Sequence, residues 1–224
     1  MLAGLRALPT LKGMVNEVLA NMLVVWTAVN VLVGGWLMAP TVKINQEDAD
    51  SPLVSVAVTM TRQGVRSFHG AGKVQASTLN ADMQLQRLLG HLPALVHKKP
   101  ESVLVVACGA GITAGSFVLH SDVKRIVICD IEPLVPTIVA PMFGTENYHV
   151  VDGIARENPH MVDGKQVEVV YDDGRHFLRT THEKFDIITS DPIDPWIKGC
   201  AALNTVEYYR MCRDHLNPGG SVSL

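Results

Sequence analysis

The stretch SVLVVACGAGIT, residues 102–113, runs an apolar strand-forming segment into a turn with glycines at 109 and 111, and then into a helix expected from about 112. The same order returns three times downstream. RIVICD (125–130) precedes a helix from 133, QVEVVY (166–171) a helix near 175, and FDIITS (185–190) a helix from 205. Short, nearly continuous apolar strands alternating with helices predict an α/β fold, a parallel sheet with helices on both faces, over residues 80–224. At its start, Met83, Leu85, Leu88, Leu89, Leu92 and Leu95 recur at helical spacing until Pro100 stops the pattern. At its end, LNPGGSVSL (216–224) reads as a helix stop, a turn and the opening of another strand, so a truncated C-terminus is expected.

Upstream, β-rich segments at 53–61, 64–68 and 73–77, with turns marked by Gly64 and the glycines at 70 and 72, predict a small antiparallel unit. INQEDADSP (44–52) reads as the polar linker before it, giving a linker and small β domain over 43–79. The first 42 residues differ. From Val18 to Val42 there is no Asp, Glu, Lys, Arg or His, and the run is long enough to cross a hydrocarbon layer of about 30 Å, so a transmembrane helix is expected there. On this reading the chain is membrane-anchored, with the α/β part that follows on the cytoplasmic face.

The composition excludes several classes. With 224 residues, 47% of them hydrophobic, the chain can bury a core. A net charge of −3 with no basic block argues against a nucleic-acid partner. The cysteines at 108, 129, 200 and 212 lack paired spacing and read as reduced thiols; the nine histidines include no HExxH or close pair, so the sequence supports no metal site. His91, within an apolar helix, reads as a hydrogen-bonded core residue.

In open parallel sheets ligands bind at the carboxyl ends of the strands, so the informative residues follow each apolar run. Gly109 and Gly111 let the backbone turn tightly and approach a ligand at a helix N-terminus, and with Ala114 they also satisfy the relaxed dinucleotide pattern GxGxxA. Asp130, nineteen residues past Gly111, is placed to accept both hydroxyl hydrogens of a ribose; Glu132 reads as solvated. Asp172, Asp173 and Gly174 follow the third strand, where one acid can cap a helix and the other meet an adenine amine. Asp191 and Asp194, each followed by proline, follow the fourth. Carboxylates at successive strand ends, with no lysine or arginine placed for a pyrophosphate, suit a nucleoside bearing positive charge, a sulfonium such as S-adenosylmethionine or its decarboxylated relative, better than NAD.

Seven segments in order now carry a family likeness: GKVQAS (72–77), MQLQRLLGHLPALVH (83–97), VLVVACGAGITAG (103–115), VICDIEP (127–133), VEVVYDDGRHFL (167–178), FDIITSDPIDPW (185–196) and LNPGGSVSL (216–224). From about Leu53 onward the chain resembles the polyamine aminopropyltransferases, spermidine synthase and its relatives. The resemblance implies a Rossmann-like class I methyltransferase fold behind a small β domain. The hydrophobic segment before it is similar to a bacterial subgroup fused behind transporter-like membrane helices. The implied reaction is transfer of an aminopropyl group from decarboxylated S-adenosylmethionine to a polyamine such as putrescine, without a metal. The resemblance makes Asp191 the base, Asp194 and Gln86 polyamine contacts, Asp130 the ribose acid, and Asp173 with Gly174 the adenine contacts; a homodimer is compatible with it. The departures are Ala107 and Ala110 where the family reads GGGDGG, Leu85 where it has tyrosine, and Asp130 where it mostly has glutamate. With the acid at 110 missing, a methyltransferase acting on a small amine and a non-catalytic adenosyl sensor beside a transporter are the rival readings.

Overall fold

In the computed structural model the chain divides into two compact units, Met1–Gln75 and Ala76–Leu224. The structure describes residues 56–70, 73–190 and 200–223, together with the backbone of four strands, β1 (Leu23–Thr27), β2 (Leu32–Val33), β3 (Trp36–Leu37) and β4 (Thr41–Asn45). In the first unit β5 (Val56–Met60) and β6 (Arg66–Gly70), with β7 (Lys73–Ser77), which runs through the boundary at Gln75, extend a five-stranded sheet in the order β1-β4-β5-β6-β7. The pairs β1–β4, β4–β5 and β5–β6 are antiparallel.

This sheet overturns the expected transmembrane helix. The charge-free run from Val18 to Val42 holds strands: Leu23 pairs with Asn45 and Thr27 with Thr41, while Val33 pairs with Trp36 in a separate two-stranded ribbon. Among the described residues no helix is long and apolar enough to cross a membrane. The physical reason lies in residue type. The run holds seven valines and is interrupted by Gly34 and Gly35, and β-branched residues favour the pleated strand over the helix. The expected membrane anchor, and the cytoplasmic-face placement that followed from it, lose their basis.

In the second unit the elements run α1 (Asn80–Val96), β8 (Ser102–Val106), α2 (Ile112–Ser116), β9 (Arg125–Asp130), β10 (His160–Val162), β11 (Lys165–Tyr171), α3 (Gly174–Thr180), β12 (Phe185–Ser190), α4 (Val206–Asp214) and β13 (Leu216–Ser223). The sheet order is β10-β11-β9-β8-β12-β13, parallel except for β10, which forms an antiparallel edge hairpin with β11. From β8 the chain winds outward through β9 to β11, then returns to the opposite side of β8 as β12. That reversal places the topological switch point between β8 and β12, at whose carboxyl ends ligands bind in such sheets. The helix expected from 133 is replaced by a π turn (Val135–Val139) and a 3-10 turn (Ala140–Phe143). Pro133, Pro136 and Pro141 punctuate this stretch, and a proline supplies no N–H and crowds the preceding turn.

Alternation along the central strands supplies both faces of the core. Leu104, Val106, Val127, Cys129 and Ile188 pack with Leu178 of α3 and with Tyr208 and Cys212 of α4. Val103, Val105, Ile126, Ile128 and Ile187, one residue out of phase, are also fully buried. At the amino end of the sheet Asp186 ties the layers together. Its carboxylate accepts the main-chain N–H groups of Glu101 and Ser102 at 2.8 and 2.9 Å and the Asn217 amide at 2.8 Å.

At the carboxyl end α3 sits so close to β8 that a Cβ on Gly174 would lie 2.6 Å from Val106 Cγ1. Gly174→Ala is expected to cost about 1–3 kcal/mol through overpacking. Val106→Ala in the same chain should recover part of that loss, as read by urea unfolding of the single and double variants.

Candidate functional site

The four strand ends that the sequence singles out form one rim. Val106 is in register with Cys129 and Ser190, and Tyr171 with Asp130, so the carboxyl ends of β11, β9, β8 and β12 lie side by side. The described backbone of β12 stops at Ser190. Asp191 and Asp194 lie outside the described residues.

The loop after β8 turns through left-handed backbone three times in five residues, at Ala107 (φ 67°), Gly109 (φ 52°) and Gly111 (φ 76°). Glycine takes this conformation freely, which accounts for residues 109 and 111. Gly111 has a second reason, since a Cβ there would meet the Asn147 amide nitrogen at 2.9 Å. Ala107 has no such freedom, and a non-glycine residue held there costs about 1–2 kcal/mol.

Asp130 spans this loop and the next. It is 6% exposed, and one carboxylate oxygen accepts the Cys108 N–H at 2.7 Å while the other accepts the Glu132 N–H at 2.8 Å. Burial disfavours the ionised form and pushes its pKa up to about 6, against the pull of those two N–H groups. The residue read as a ribose acceptor is therefore also the brace between the first two loops. Glu132 is engaged too, its carboxylate accepting the Leu134 N–H at 3.0 Å.

At the third strand end the two acids divide their work. Asp173 caps α3, accepting the Arg175 and His176 N–H groups, and it also holds the Arg175 guanidinium at 2.8 Å. That guanidinium keeps its carboxyl below the ordinary carboxylate range. Asp172 instead contacts His176 Nδ1 at 2.6 Å. Arg175 is a basic residue on the rim that inspection of charge along the sequence passes over, because its partner is only two residues away.

Gln86 lies on the buried face of α1, which also holds Met83, Gly90, Pro93 and Ala94. Its main-chain oxygen accepts the Thr113 hydroxyl of α2, and Gly90 lets the two helices close, since a Cβ there would sit 2.7 Å from Thr113 O. The Gln86 side chain is 3% exposed; its nitrogen donates to Asp82 O, and its oxygen has no partner among the described residues. His91, farther along α1, pairs with His120 at 3.0 Å between ring nitrogens, and burial lowers both pKa values.

Asn147 is the residue that sequence reasoning misses. Fully buried, it donates its amide to Ala110 O at 2.9 Å and Ala140 O at 2.7 Å, clamping the glycine loop from behind. Its main chain lies where a Cβ on Gly115 would fall. The only hint in the sequence is the pair of glycines four apart, at 111 and 115, which marks a surface approached closely by another segment.

The profile of the spermine/spermidine synthase domain matches residues 83–224. The chain belongs to this family. It is 32% identical over 152 residues to polyamine aminopropyltransferase 2 of Hyperthermus butylicus, covering 67% of this chain and 46% of that protein. It is 29% identical over 176 residues to the polyamine aminopropyltransferase of Oceanobacillus iheyensis, covering 78% and 32%. The chain thus spans less than half the length of these two relatives. Among solved structures it superposes on a spermidine synthase in complex with the transition-state analogue AdoDATO, with a TM-score of 0.61 at 21% identity over 77% of this chain and 55% of that one. The spermidine synthase of Thermotoga maritima gives a TM-score of 0.59 at 22% identity, covering 77% and 54%. These likenesses support the α/β Rossmann-like fold.

Two outcomes are expected from the rim. Ala107→Gly should relieve left-handed strain, offset in part by glycine's entropy, for a net gain of about 0.5–1 kcal/mol, visible as a small rise in Tm. For Asp130, a folded-state pKa above the unfolded value near 4 means that the folded chain binds the extra proton between pH 4 and 6. This group's contribution is full below about pH 4 and is lost as pH rises to about 6, by at most about 3 kcal/mol. Asp173 acts in the opposite sense, stabilising above its unfolded pKa and losing that contribution as pH falls further. Subtracting the stability of Asp130→Asn from that of the parent between pH 4 and 7 should isolate the Asp130 slope, falling to pH 6 and flat beyond.

Proposed function

We propose that this chain transfers an aminopropyl group from decarboxylated S-adenosylmethionine to a polyamine such as putrescine, releasing 5′-methylthioadenosine. The observation that supports this most is the extent of the family match, because residues 83–224 include every residue proposed for the site, from Gln86 to Asp194. The rim adds physical support. Its acids suit a cationic sulfonium, and the guanidinium of Arg175 is already paired with Asp173.

In this reading the glycine loop, Gly109 to Gly111, receives the nucleoside. Asp130 accepts the ribose hydroxyls with the lone pairs left by Cys108 and Glu132, and Asp173 with Gly174 borders the adenine. Gln86, whose side-chain oxygen is buried and without a partner among the described residues, offers an acceptor for an ammonium group of the polyamine, and Asp194 holds it as well. An alkylamine with a pKa near ~10.4, like lysine, is mostly protonated at neutral pH. Asp191 takes that proton. The freed nitrogen pair attacks the aminopropyl carbon bonded to sulfur, the C–S bond breaks with its electrons going to sulfur, and the sulfonium leaves as a neutral thioether.

General base action is worth about 10²- to 10⁴-fold. Asp191→Asn is therefore expected to lower turnover by at least about 100-fold while calorimetric binding of 5′-methylthioadenosine is unchanged. Incubation with decarboxylated S-adenosylmethionine and a panel of diamines, with product identification, checks the reaction itself. Undiminished turnover in Asp191→Asn would remove the proposed base, and S-adenosylhomocysteine formed from S-adenosylmethionine would replace aminopropyl transfer with methyl transfer.

A further inference from the structure

The carboxylate of Asp173 is crowded. Its Oδ1 accepts from the Arg175 main-chain N–H at 2.8 Å, from Arg175 Nε at 3.1 Å and from the His176 main-chain N–H at 3.4 Å. Its Oδ2 accepts from Arg175 Nη2 at 2.8 Å and has no other donor among the described residues. A carboxylate oxygen offers about two lone-pair sites, so Oδ1 is saturated and Oδ2 keeps one. The Nε and Nη2 bonds make a planar two-pronged clamp, which fixes the plane of the carboxylate and with it the direction of that remaining site. Asp172 does not compete for the guanidinium, because its Oδ2 is engaged by His176 Nδ1 at 2.6 Å and its Oδ1 by the Asp173 N–H at 2.8 Å.

We propose that Arg175 makes the nucleoside site selective for a base bearing an exocyclic amine over one bearing a carbonyl at the same place. The inference rests on the reading above that Asp173 borders the adenine. Arg175 acts through Asp173, as a positioning residue, in two ways. Its guanidinium holds the carboxyl below the ordinary carboxylate range, so at neutral pH the group is ionised and can only accept. Its clamp also keeps the carboxylate from rotating to present the saturated oxygen instead. An amine hydrogen satisfies the remaining Oδ2 site. A carbonyl oxygen brings a second acceptor against a charged one, and neither gains a hydrogen, which is the costly arrangement for polar groups taken from water. The pair does little else. Both side chains are 33% exposed, and ion pairs so exposed contribute little to stability. Nor does α3 depend on the guanidinium, since its cap uses main-chain N–H groups that any non-proline residue at 175 retains.

Calorimetric titration of the 224-residue chain with 5′-methylthioadenosine and with its 6-oxo counterpart, 5′-methylthioinosine, tests this selectivity. The two ligands share their ribose and thioether, so contributions from Asp130 and the glycine loop divide out of the ratio of affinities. The parent should bind the amine about 10- to 100-fold more tightly, the worth of one hydrogen bond to a charged group. In Arg175→Ala that preference should shrink by about fivefold or more, with circular dichroism and Tm unchanged. Arg175→Lys, which keeps the charge but not the planar fork, should fall between. Asp173→Asn retains an N-cap residue and can donate its amide to a carbonyl, so it should abolish the preference. A ratio that holds at the parent value in Arg175→Ala, while Asp173→Asn loses it, overturns the proposal and leaves the nucleoside site standing. Equal weakening of both ligands in Arg175→Ala does the same, since a purely structural role acts on both alike. A parent that binds neither ligand, or an Asp173→Asn ratio equal to the parent's, overturns the adenine assignment and the proposal with it.

Discussion

The rim depends on one carboxylate with two neighbours. Asp130 ends β9 and reaches back to the loop after β8 through the Cys108 N–H, while its other oxygen holds the loop after β9 through the Glu132 N–H. Neither loop has regular secondary structure at that point, so without the brace each would be free to find other partners for its N–H groups. Burial makes the ionised form costly, and the two hydrogen bonds offset part of that cost. A ligand that approaches this end of the sheet meets main-chain geometry already in place, and less of its binding energy is spent ordering loops.

Three aspartates of one unit show how environment divides a single residue type. Asp186, at the amino end of the sheet, is consumed by main-chain N–H groups and an asparagine, and serves as a structural tie. Asp173 is held by Arg175 and the first turn of α3, which favours its charged form. Asp130, nearly enclosed and without a cationic partner in its hydrogen bonds, is pushed the other way. Position along a strand, amino or carboxyl end, separates the structural acid from the two that face the rim.

Much of the second unit was legible from sequence because its information is local. Continuous apolar runs such as 103–106 and 126–129 specify strands buried on both faces, and glycines at 109 and 111 meet a backbone requirement at their own positions. The hairpin of β10 and β11 was legible too and was passed over: Asp163 and Gly164 both take positive φ, the pairing an Asp-Gly turn favours. The charge-free N-terminal run misled because hydropathy was weighed above residue type: its valines favour strands, and its paired glycines disfavour a helix interior. The leucine pattern of α1 marked a helix correctly, but its buried side is the face of Gln86, Gly90 and Ala94. Helix–helix closeness depends on small residues meeting a particular neighbour, and periodicity does not name that neighbour. For the same reason the Asn147 clamp, which reaches Ala110 across 37 residues of chain, left almost no trace.

The most direct measurement is an amide-resolved NMR titration of the chain with decarboxylated S-adenosylmethionine. If a braced carboxyl-end rim receives the nucleoside, the shifts concentrate at the amides of Cys108, Glu132 and Gly174, and those of Glu101 and Ser102 at the opposite end stay still. Saturable shifts centred on Glu101 and Ser102, with the rim unmoved, would contradict it.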